Sequence, residues 1–567
     1  MAETDWLLKK KYRELLAREA GYSVKVWGTK LSVCLVYPNT YRTGMASLGF
    51  QRIYALINAD PDCLCERAFL PDPGDETCIV PGSAPLFSLE SQHPLGQFDV
   101  VAFSLSFEND YPNILKILAL AGIPATAAAR GEELPLLAAG GIAVTLNPEP
   151  LADFFDLFLL GEGEVTVPPL LAALKASWDR RRDELLATLQ RETPGAYCPA
   201  LYSVRYTVEG TIAAREPLRP GLPERIAAPH AAPLDAFPAG QPLVTACTEF
   251  GDMFLAEASR GCGRGCRFCA AGFVYRPPRF RSLAALQPAI AAGLAHGKKL
   301  GLLGTAVSDH PELTALCRTI LARGGGISIG SLRADRLSED LAALLAASGV
   351  QTVALAPEAG SQRLRDVIHK GLAEAKLLAA VDALLAHGIV KLRLYFMLGL
   401  PTETEEDVEA IVQLVRRIRH RSLATTRGRQ PFRLVTASIN QFIPKPATPF
   451  QWHPLAATEL VKRRLRHIMA NLSREATVKV IHDLPKWNYI QALLSLGDRR
   501  LGALLCAVDY YGGNWAQAFK AVNLNADFYV YREKGEEEIL PWDFIDHGVE
   551  RRLLLHEYRA ALRKDDA

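Results

Sequence analysis

The chain has 567 residues, about half of them apolar and 22% charged, with a formal net charge of +2. That composition excludes global disorder and supplies apolar surface for three or four domains. The near-neutral balance gives no electrostatic reason to expect a nucleic-acid or membrane partner, and no apolar run is long enough to span a bilayer. The first segment, "MAETDWLLKKKYRELLAREAG", is charged throughout and reads as an amphipathic surface helix within residues 1–25, not as a secretion signal. A cytoplasmic location is expected.

From residue 26 to about 175 short apolar runs alternate with helical periodicity: "LSVCLVYP" and "FDVVAFSLSF" as buried strands, "MASLGFQRIYALIN" and "YPNILKILALAG" as helices, then "LPLLAAGG" and "FFDLFLLGEGE" as strands ending at glycines. Such runs predict a parallel sheet covered on both faces, with ligands beyond the carboxyl ends of its strands. Residues 176–245 hold a charged helical piece, a hairpin turning at Glu209–Gly210, and a Pro- and Ala-rich connector. Residues 246–455 carry six strands interleaved with helices: "MFLAEAS", "KLGLLGT", "GISIGSL", "TVALAPEAG", "VKLRLYFMLG" and "LVTASINQFIP". They predict a partial barrel with functional groups at the carboxyl ends of the strands. Residues 456–567 read as mainly helical.

Of the 11 cysteines, Cys34, Cys78, Cys198, Cys247, Cys317 and Cys506 are scattered and read as reduced core or surface thiols. Cys63 and Cys65 form a C-x-C that lacks the usual gap. Cys262, Cys266 and Cys269 cluster in "EASRGCGRGCRFCAAGF", directly after the first strand of the six-strand array. Thiolates suit zinc or iron–sulfur clusters. Structural zinc takes four protein ligands, and a ferredoxin-type cluster also takes four cysteines. Three thiolates on a four-iron cluster would leave one iron open to a small molecule.

"CGRGCRFC" resembles the C-x-x-x-C-x-aromatic-C signature of the radical S-adenosylmethionine superfamily, with Phe268 in the aromatic slot. The resemblance implies a [4Fe-4S] cluster on Cys262, Cys266 and Cys269, with the amino and carboxylate groups of S-adenosylmethionine on the fourth iron. It implies reductive cleavage of that cofactor to a 5′-deoxyadenosyl radical acting on an unknown substrate, and an electron donor such as flavodoxin or ferredoxin. A non-catalytic iron–sulfur sensor or electron carrier is the alternative from another class. The resemblance extends to further cofactor positions. "FMLGLPTET" places Gly399 and Glu403, against a plain helix start in which Thr402 and Glu405 form a capping box. "LAPEAGSQRLR" places Glu358 and Ser361, against a helix cap at Ser361. "SLRADRL" places Ser331 and Arg333, the latter suited to a carboxylate or to pairing with Asp335. "GLLGTAVSDHP" stands where the superfamily often has G-G-E; it supplies Gly304 but no glutamate for the amino group. Lys445 in "FIPKPATPFQW" is a weaker candidate.

Residues 31–165 resemble the Rossmann-like cobalamin-binding domain that precedes many radical cores, and "GEGE" at 161–164 fits that arrangement. "YPNTYRTGMASLGF", "PLFSLES", "NPEPLADFFD" and "LPWDFIDHGV" resemble segments of an uncharacterised group with that domain fused to the core. The implied fold is α/β: a Rossmann-like cobalamin-binding-type domain, a partial (β/α)6 radical barrel and a small, mainly helical C-terminal region. Cobalamin is thus a third candidate cofactor, and a cobalamin-dependent radical methylase an alternative function. The D-x-H-x-x-G pattern that ligates cobalt by histidine is missing; Asp309–His310 and Asp546–His547 are adjacent pairs, and His93 lacks the aspartate. Arginine runs at 415–422 and 461–468 could meet RNA phosphates or form solvated helix faces. No second cluster motif of the methylthiotransferase kind is found.

Overall fold

The computed structural model describes residues 2–80, 85–297, 299–426 and 431–563. It opens with α1 (Ala2–Leu16), whose Leu8, Tyr12 and Leu16 are buried against the first sheet. That sheet is built from β1 (Leu31–Tyr37), α2 (Leu48–Ala59), β2 (Cys63–Phe69), β3 (Val100–Ser104), α3 (Tyr111–Ala121), β4 (Leu136–Gly140), β5 (Leu157–Leu159), α4 (Gly163–Ser177), α5 (Arg182–Glu192) and β6 (Ala196–Tyr197). The strand order is 2-1-3-4-5-6, parallel except for β6. β2 is buried at every residue and β1 at all but its first, as expected of strands covered on both faces. This is a doubly wound sheet whose order reverses between β1 and β3, so a crevice opens beyond the carboxyl ends of those strands. Cys63 and Cys65 are fully buried in β2 and are core thiols. The antiparallel β6 falls inside the segment read from sequence as hairpin and linker.

The hairpin is β7 (Tyr202–Tyr206) and β8 (Ile212–Pro217), with Gly210 at φ 88 in its turn. A short strand, β9 (Ile226–Ala227), follows. The second sheet begins with β10 (Met253–Glu257), then the small ribbon β11 (Ser259–Arg260) and β12 (Arg279–Phe280), α6 (Leu283–Ala295), β13 (Lys299–Leu303), α7 (Leu313–Ala322) and β14 (Ile327–Ile329). It continues through α8 (Glu339–Ala347), β15 (Thr352–Glu358), α9 (Gln362–Val367), α10 (Glu374–Ala386), β16 (Lys391–Leu398), α11 (Glu405–Thr425) and β17 (Leu434–Gln441). All pairings between its main strands are parallel and follow chain order; a Leu332–Leu355 bridge joins the β10-β13-β14 half to the β15-β16-β17 half. No closing pair between the two outer strands is seen among the described residues, so the barrel is partial.

The C-terminal region is mainly helical, and it also holds a strand that the sequence reading did not name: after α12 (Thr458–Leu472), β18 (Val478–His482) pairs in parallel with β17 and extends the core sheet. Its alternating, half-exposed residues carry only a weak strand signal. The capping box at α11 is Thr404 with Asp407, not Thr402 with Glu405; Thr402 is in the left-handed region at φ 61. The remaining helices, among them α13 (Pro485–Leu496), α14 (Leu501–Tyr510) and α15 (Arg551–Leu562), share one apolar core with the first sheet, and β19 (Ile545–Asp546) pairs with β9. The arginine runs are largely matched by acids: Arg416 and Arg419 with Glu475, Arg417 with Glu374, Arg421 with Asp382, and Arg464 with Glu403. No helix among the described residues is long and apolar enough to cross a membrane.

Candidate functional site

The three clustered cysteines lie on one loop that leaves β11 and returns at β12, a ribbon paired Ser259 to Phe280 and Arg260 to Arg279. The loop therefore starts at the carboxyl end of β10, where a parallel array presents its functional groups. Glycines let it fold tightly. Gly261 has φ 81, and a Cβ there would sit 2.0 Å from the Tyr275 carbonyl; one at Gly272 would sit 2.5 Å from the Arg264 carbonyl. The loop is anchored on both sides. The Arg267 amide donates to the Ile368 carbonyl at 3.0 Å, and the Phe450 amide donates to the Arg267 carbonyl at 3.3 Å. Arg264, between the first two cysteines, is clamped by Asp309 at 2.7 Å, and Asp309 lies on the loop that follows β13.

Cys266 is 8% exposed. Burial pushes its thiol up, while Lys370 and Arg333 draw it down and Cys262 and Glu358 push it further up. Burial, then Cys266, pushes the Cys269 thiol up to about 11. The Cys262 sulfur accepts the Arg264 amide at 3.4 Å. Thus each thiol is in electrostatic reach of another. Among the described residues no three His, Cys, Asp or Glu side chains converge on one shared metal ion. A four-iron cluster asks for a different arrangement, because each thiolate binds its own iron. Three soft donors on one glycine-rich loop, with a cation beside them to balance thiolate charge, fit such a cluster.

The structure gathers only some of the other predicted residues here. Lys370 holds Glu358 at 3.0 Å, and Glu358 sits at φ 66 where β15 loses register. Arg333 pairs with Asp335 at 2.9 Å and donates to the Lys370 carbonyl at 3.1 Å. Phe268 packs, half-buried, against the first core. Gly304 approaches Ser259 so closely that a Cβ would meet its Oγ at 2.3 Å. The other five, Ser331, Ser361, Gly399, Glu403 and Lys445, have internal roles or face solvent. Ser331 is exposed. Ser361 caps α9, accepting from the Leu364 amide, and donates to Asp407. Gly399 has φ 82, and a Cβ there would lie 2.7 Å from that of Ala456. Its amide donates to Glu403, which also pairs with Arg464 at 2.6 Å. Burial pushes Glu403 up to about 7 although both partners favour the carboxylate. Lys445 reaches Glu108 of the first domain at 2.5 Å.

What the sequence did not reveal is a clasp between the two sheets. Glu162 of "GEGE" is 5% exposed; it takes Arg279 at 2.6 Å, Arg260 at 2.6 Å and the Ala231 amide at 2.9 Å. Glu164 also pairs with Arg260 at 2.7 Å, and Glu257 pairs with Arg260 and Arg281. Burial opposes ionisation of Glu162, yet the two arginines hold it below the usual carboxylate range. Arg260 is two residues from Cys262, so the clasp fixes the cluster loop to the first domain. No short-range signal marks partners almost a hundred positions apart.

Beside the clasp lies a cavity of about 430 Å³. Its deep, apolar part runs between the first sheet and α2 and α4, past Val33, Leu35, Ile53 and Leu171. Its mouth holds Ser104, Gly140, Glu162, Arg260 and, from the second sheet, Ser259, Gly304 and Thr305. Ser259 Oγ is buried with no hydrogen-bond partner. No histidine or cysteine lines this cavity; His93 instead stacks on Trp27.

Two family models match the chain: "Radical SAM superfamily" over residues 257–415 and "Radical SAM proteins, N-terminal" over residues 49–199. An uncharacterized protein of Methanocaldococcus jannaschii is 30% identical over 476 residues, spanning 84% of this chain and 90% of that protein. Among solved structures, the radical S-adenosylmethionine methyltransferase TsrM of Kitasatospora setae, with cobalamin and a [4Fe-4S] cluster bound, superposes with a TM-score of 0.50 at 14% identity, covering 87% of this chain and 100% of that one. The cobalamin-dependent radical enzyme OxsB, with aqua-cobalamin and S-adenosylmethionine bound, gives 0.50 at 14% identity, covering 91% and 77%.

Proposed function

Because the chain belongs to the radical S-adenosylmethionine superfamily, and is an enzyme of that class, we propose that Cys262, Cys266 and Cys269 hold its [4Fe-4S] cluster, with S-adenosylmethionine on the fourth iron. The observation that carries this is the three-thiol loop at the carboxyl end of β10, with Lys370 and Arg333 beside Cys266. When bound, the cluster supplies the electron that cleaves S-adenosylmethionine to a 5′-deoxyadenosyl radical, which abstracts hydrogen from substrate. Glu358 and Lys370 are the pair we assign to the cofactor's amino and carboxylate groups. They are opposite charges, paired with each other at 3.0 Å, whose fields both reach Cys266, whereas Asp309 and Asp335 are paired with arginines. Glu358 thereby takes the place of the missing G-G-E glutamate. Gly304, packed against Ser259, lines the 430 Å³ cavity. An outside one-electron donor of the flavodoxin or ferredoxin type completes the reaction, and the unpaired cysteines suit a cytoplasmic setting.

A second reading, a cobalamin-dependent radical methylase, is favoured by the cavity at the switch point of the first sheet, which opens toward the cluster-bearing sheet. A bound cobalamin would rest against the apolar wall and the small residues at the mouth, Ser104 and Gly140 among them, and the lining offers it no histidine. Anaerobic purification, with and without cobalamin loading, followed by iron and cobalt analysis tests both readings. Iron near four per chain supports the first, and its absence overturns it. Stoichiometric cobalt without imidazole nitrogen coupling supports the second. Cobalt-free protein after loading would instead make the cavity a substrate pocket.

A further inference from the structure

A second cavity, of about 900 Å³, is lined on one side by Arg276 of the cluster loop. It is lined by Ala228, His230, Arg276, His547, Gly548 and His556, with Glu550 and Arg552 at its edge. The parallel ribbon of β9 and β19 forms its floor: the Ala228 amide donates to the Asp546 carbonyl at 2.9 Å, so the chain delivers His230 and His547 together just past the ribbon's end.

His547 is 8% exposed, and neither of its ring nitrogens has a hydrogen-bond partner. Nδ1 of His230 and Nε of Arg276 are likewise buried and unpartnered. A buried polar group left unpaired costs about 1–3 kcal/mol, so four such nitrogens around one cavity require an explanation. The acids nearby are already engaged: Glu162, whose carboxylate lies 3.7 Å from Nδ1 of His230, is held by Arg260 and Arg279 at 2.6 Å each. Glu550 pairs with Arg552, and Asp546 takes the Gly548 amide and faces Arg225 at 3.6 Å. Arg276 has no carboxylate partner among the described residues; one of its amino groups donates to the Arg264 carbonyl at 3.2 Å. What remains is a set of N–H donors around one unneutralised guanidinium. A cation is disfavoured there by Arg276, and no three ligands converge on a metal.

We propose that this cavity binds a small anionic ligand, a carboxylate or a phosphate, through Arg276 and the ring N–H groups of His547 and His230. A neutral imidazole donates from one nitrogen, so the histidines need no charge of their own. Burial and the neighbouring His230 push His547 down to about 4, which keeps it neutral in the empty cavity. Because Arg276 also holds the backbone between Cys262 and Cys266, the occupant of this cavity is one side chain from the stretch that carries the first two cysteines.

The test is calorimetric titration of the anaerobic full chain with inorganic phosphate and, separately, with citrate, in chloride buffer. Saturable binding of one equivalent is expected for one of the two; phosphate assigns a phosphorylated ligand and citrate a carboxylate. His547→Phe keeps a flat ring and removes both unpaired nitrogens. It is expected to fold at least as well as the parent and to bind about tenfold more weakly. Arg276→Gln, which removes the charge, is expected to abolish binding and serves alone if His547→Phe does not fold; Arg276→Lys is expected to retain part. Failure of both anions to saturate, or wild-type affinity in His547→Phe or Arg276→Gln, would overturn the proposal.

Discussion

Replacing Glu162 by Gln removes the negative centre of the clasp while keeping its shape. In the intact protein one carboxylate, 5% exposed, balances two guanidiniums at 2.6 Å, and Arg279 is itself only 9% exposed. Breaking a buried ion pair by deleting one partner costs about 3–5 kcal/mol, because the other charge stays buried without compensation. Arg260 keeps Glu164 and Glu257, so most of the loss falls on Arg279. Because the urea slope grows with chain size beyond the roughly 1–3 kcal/mol/M of small proteins, the midpoint should fall by about one molar unit or less. A double variant, Glu162→Gln with Arg279→Met, leaves no stranded charge and should recover much of the loss. The pH sign follows from the depressed pKa of Glu162. The folded state holds the carboxylate more strongly than the unfolded chain does, so the stabilisation is present above about pH 4.5 and fades as pH falls through the lower folded value. The gap between wild type and Glu162→Gln should therefore narrow on acidification. Urea unfolding of the anaerobic protein across that range is the assay. A wild-type midpoint in Glu162→Gln, or a double variant weaker than the single one, would refute the clasp.

Gly399→Ala should lower stability by about 1–2 kcal/mol even without cofactor, since φ 82 strains any side chain and the added Cβ meets Ala456; thermal unfolding of the cofactor-free protein checks this. Glu358→Gln should weaken S-adenosylmethionine binding by about tenfold while leaving iron content unchanged, as read by calorimetry and iron analysis. Burial raises Asp110 from 3.8 to about 6, with Asn39 as its hydrogen-bond partner. Its folded form thus keeps a proton that the unfolded chain releases, a penalty that grows between those values and is constant above them, about 3 kcal/mol. Asp110→Asn should accordingly stabilise the protein at neutral pH, with the gain shrinking as pH falls from 6 toward 4, measured by urea midpoints.

Most strands of both sheets were legible because burial on two faces writes continuous apolar runs such as "LSVCLVYP", and the cysteine loop because its spacing is local; β2 was missed because "CLCERAF" breaks its apolar run with Glu66 and Arg67, and β6 because it is only two residues long. β18 was not legible either, since "VKVIH" alternates weakly at a half-exposed edge. The stretches "LAPEAGSQRLR" around Ser361 and "FMLGLPTET" around Gly399 resemble a cofactor wall, and the same residues serve a helix cap and a left-handed turn. Sequence alone does not separate those roles. Lys370, beside Cys266, and the Glu162 clasp, with its partners about a hundred positions away, carry no periodic or motif signal at all; they are consequences of how the two sheets meet.

Formation of 5′-deoxyadenosine bears most directly on the radical assignment. The iron-loaded, reduced protein should convert S-adenosylmethionine to 5′-deoxyadenosine and methionine. Alanine at Cys262, Cys266 or Cys269 should remove both the cluster absorbance and the product, while alanine at Cys247 or Cys317 should remove neither. Full iron content and undiminished 5′-deoxyadenosine in the triple Cys262, Cys266, Cys269 variant would contradict the account.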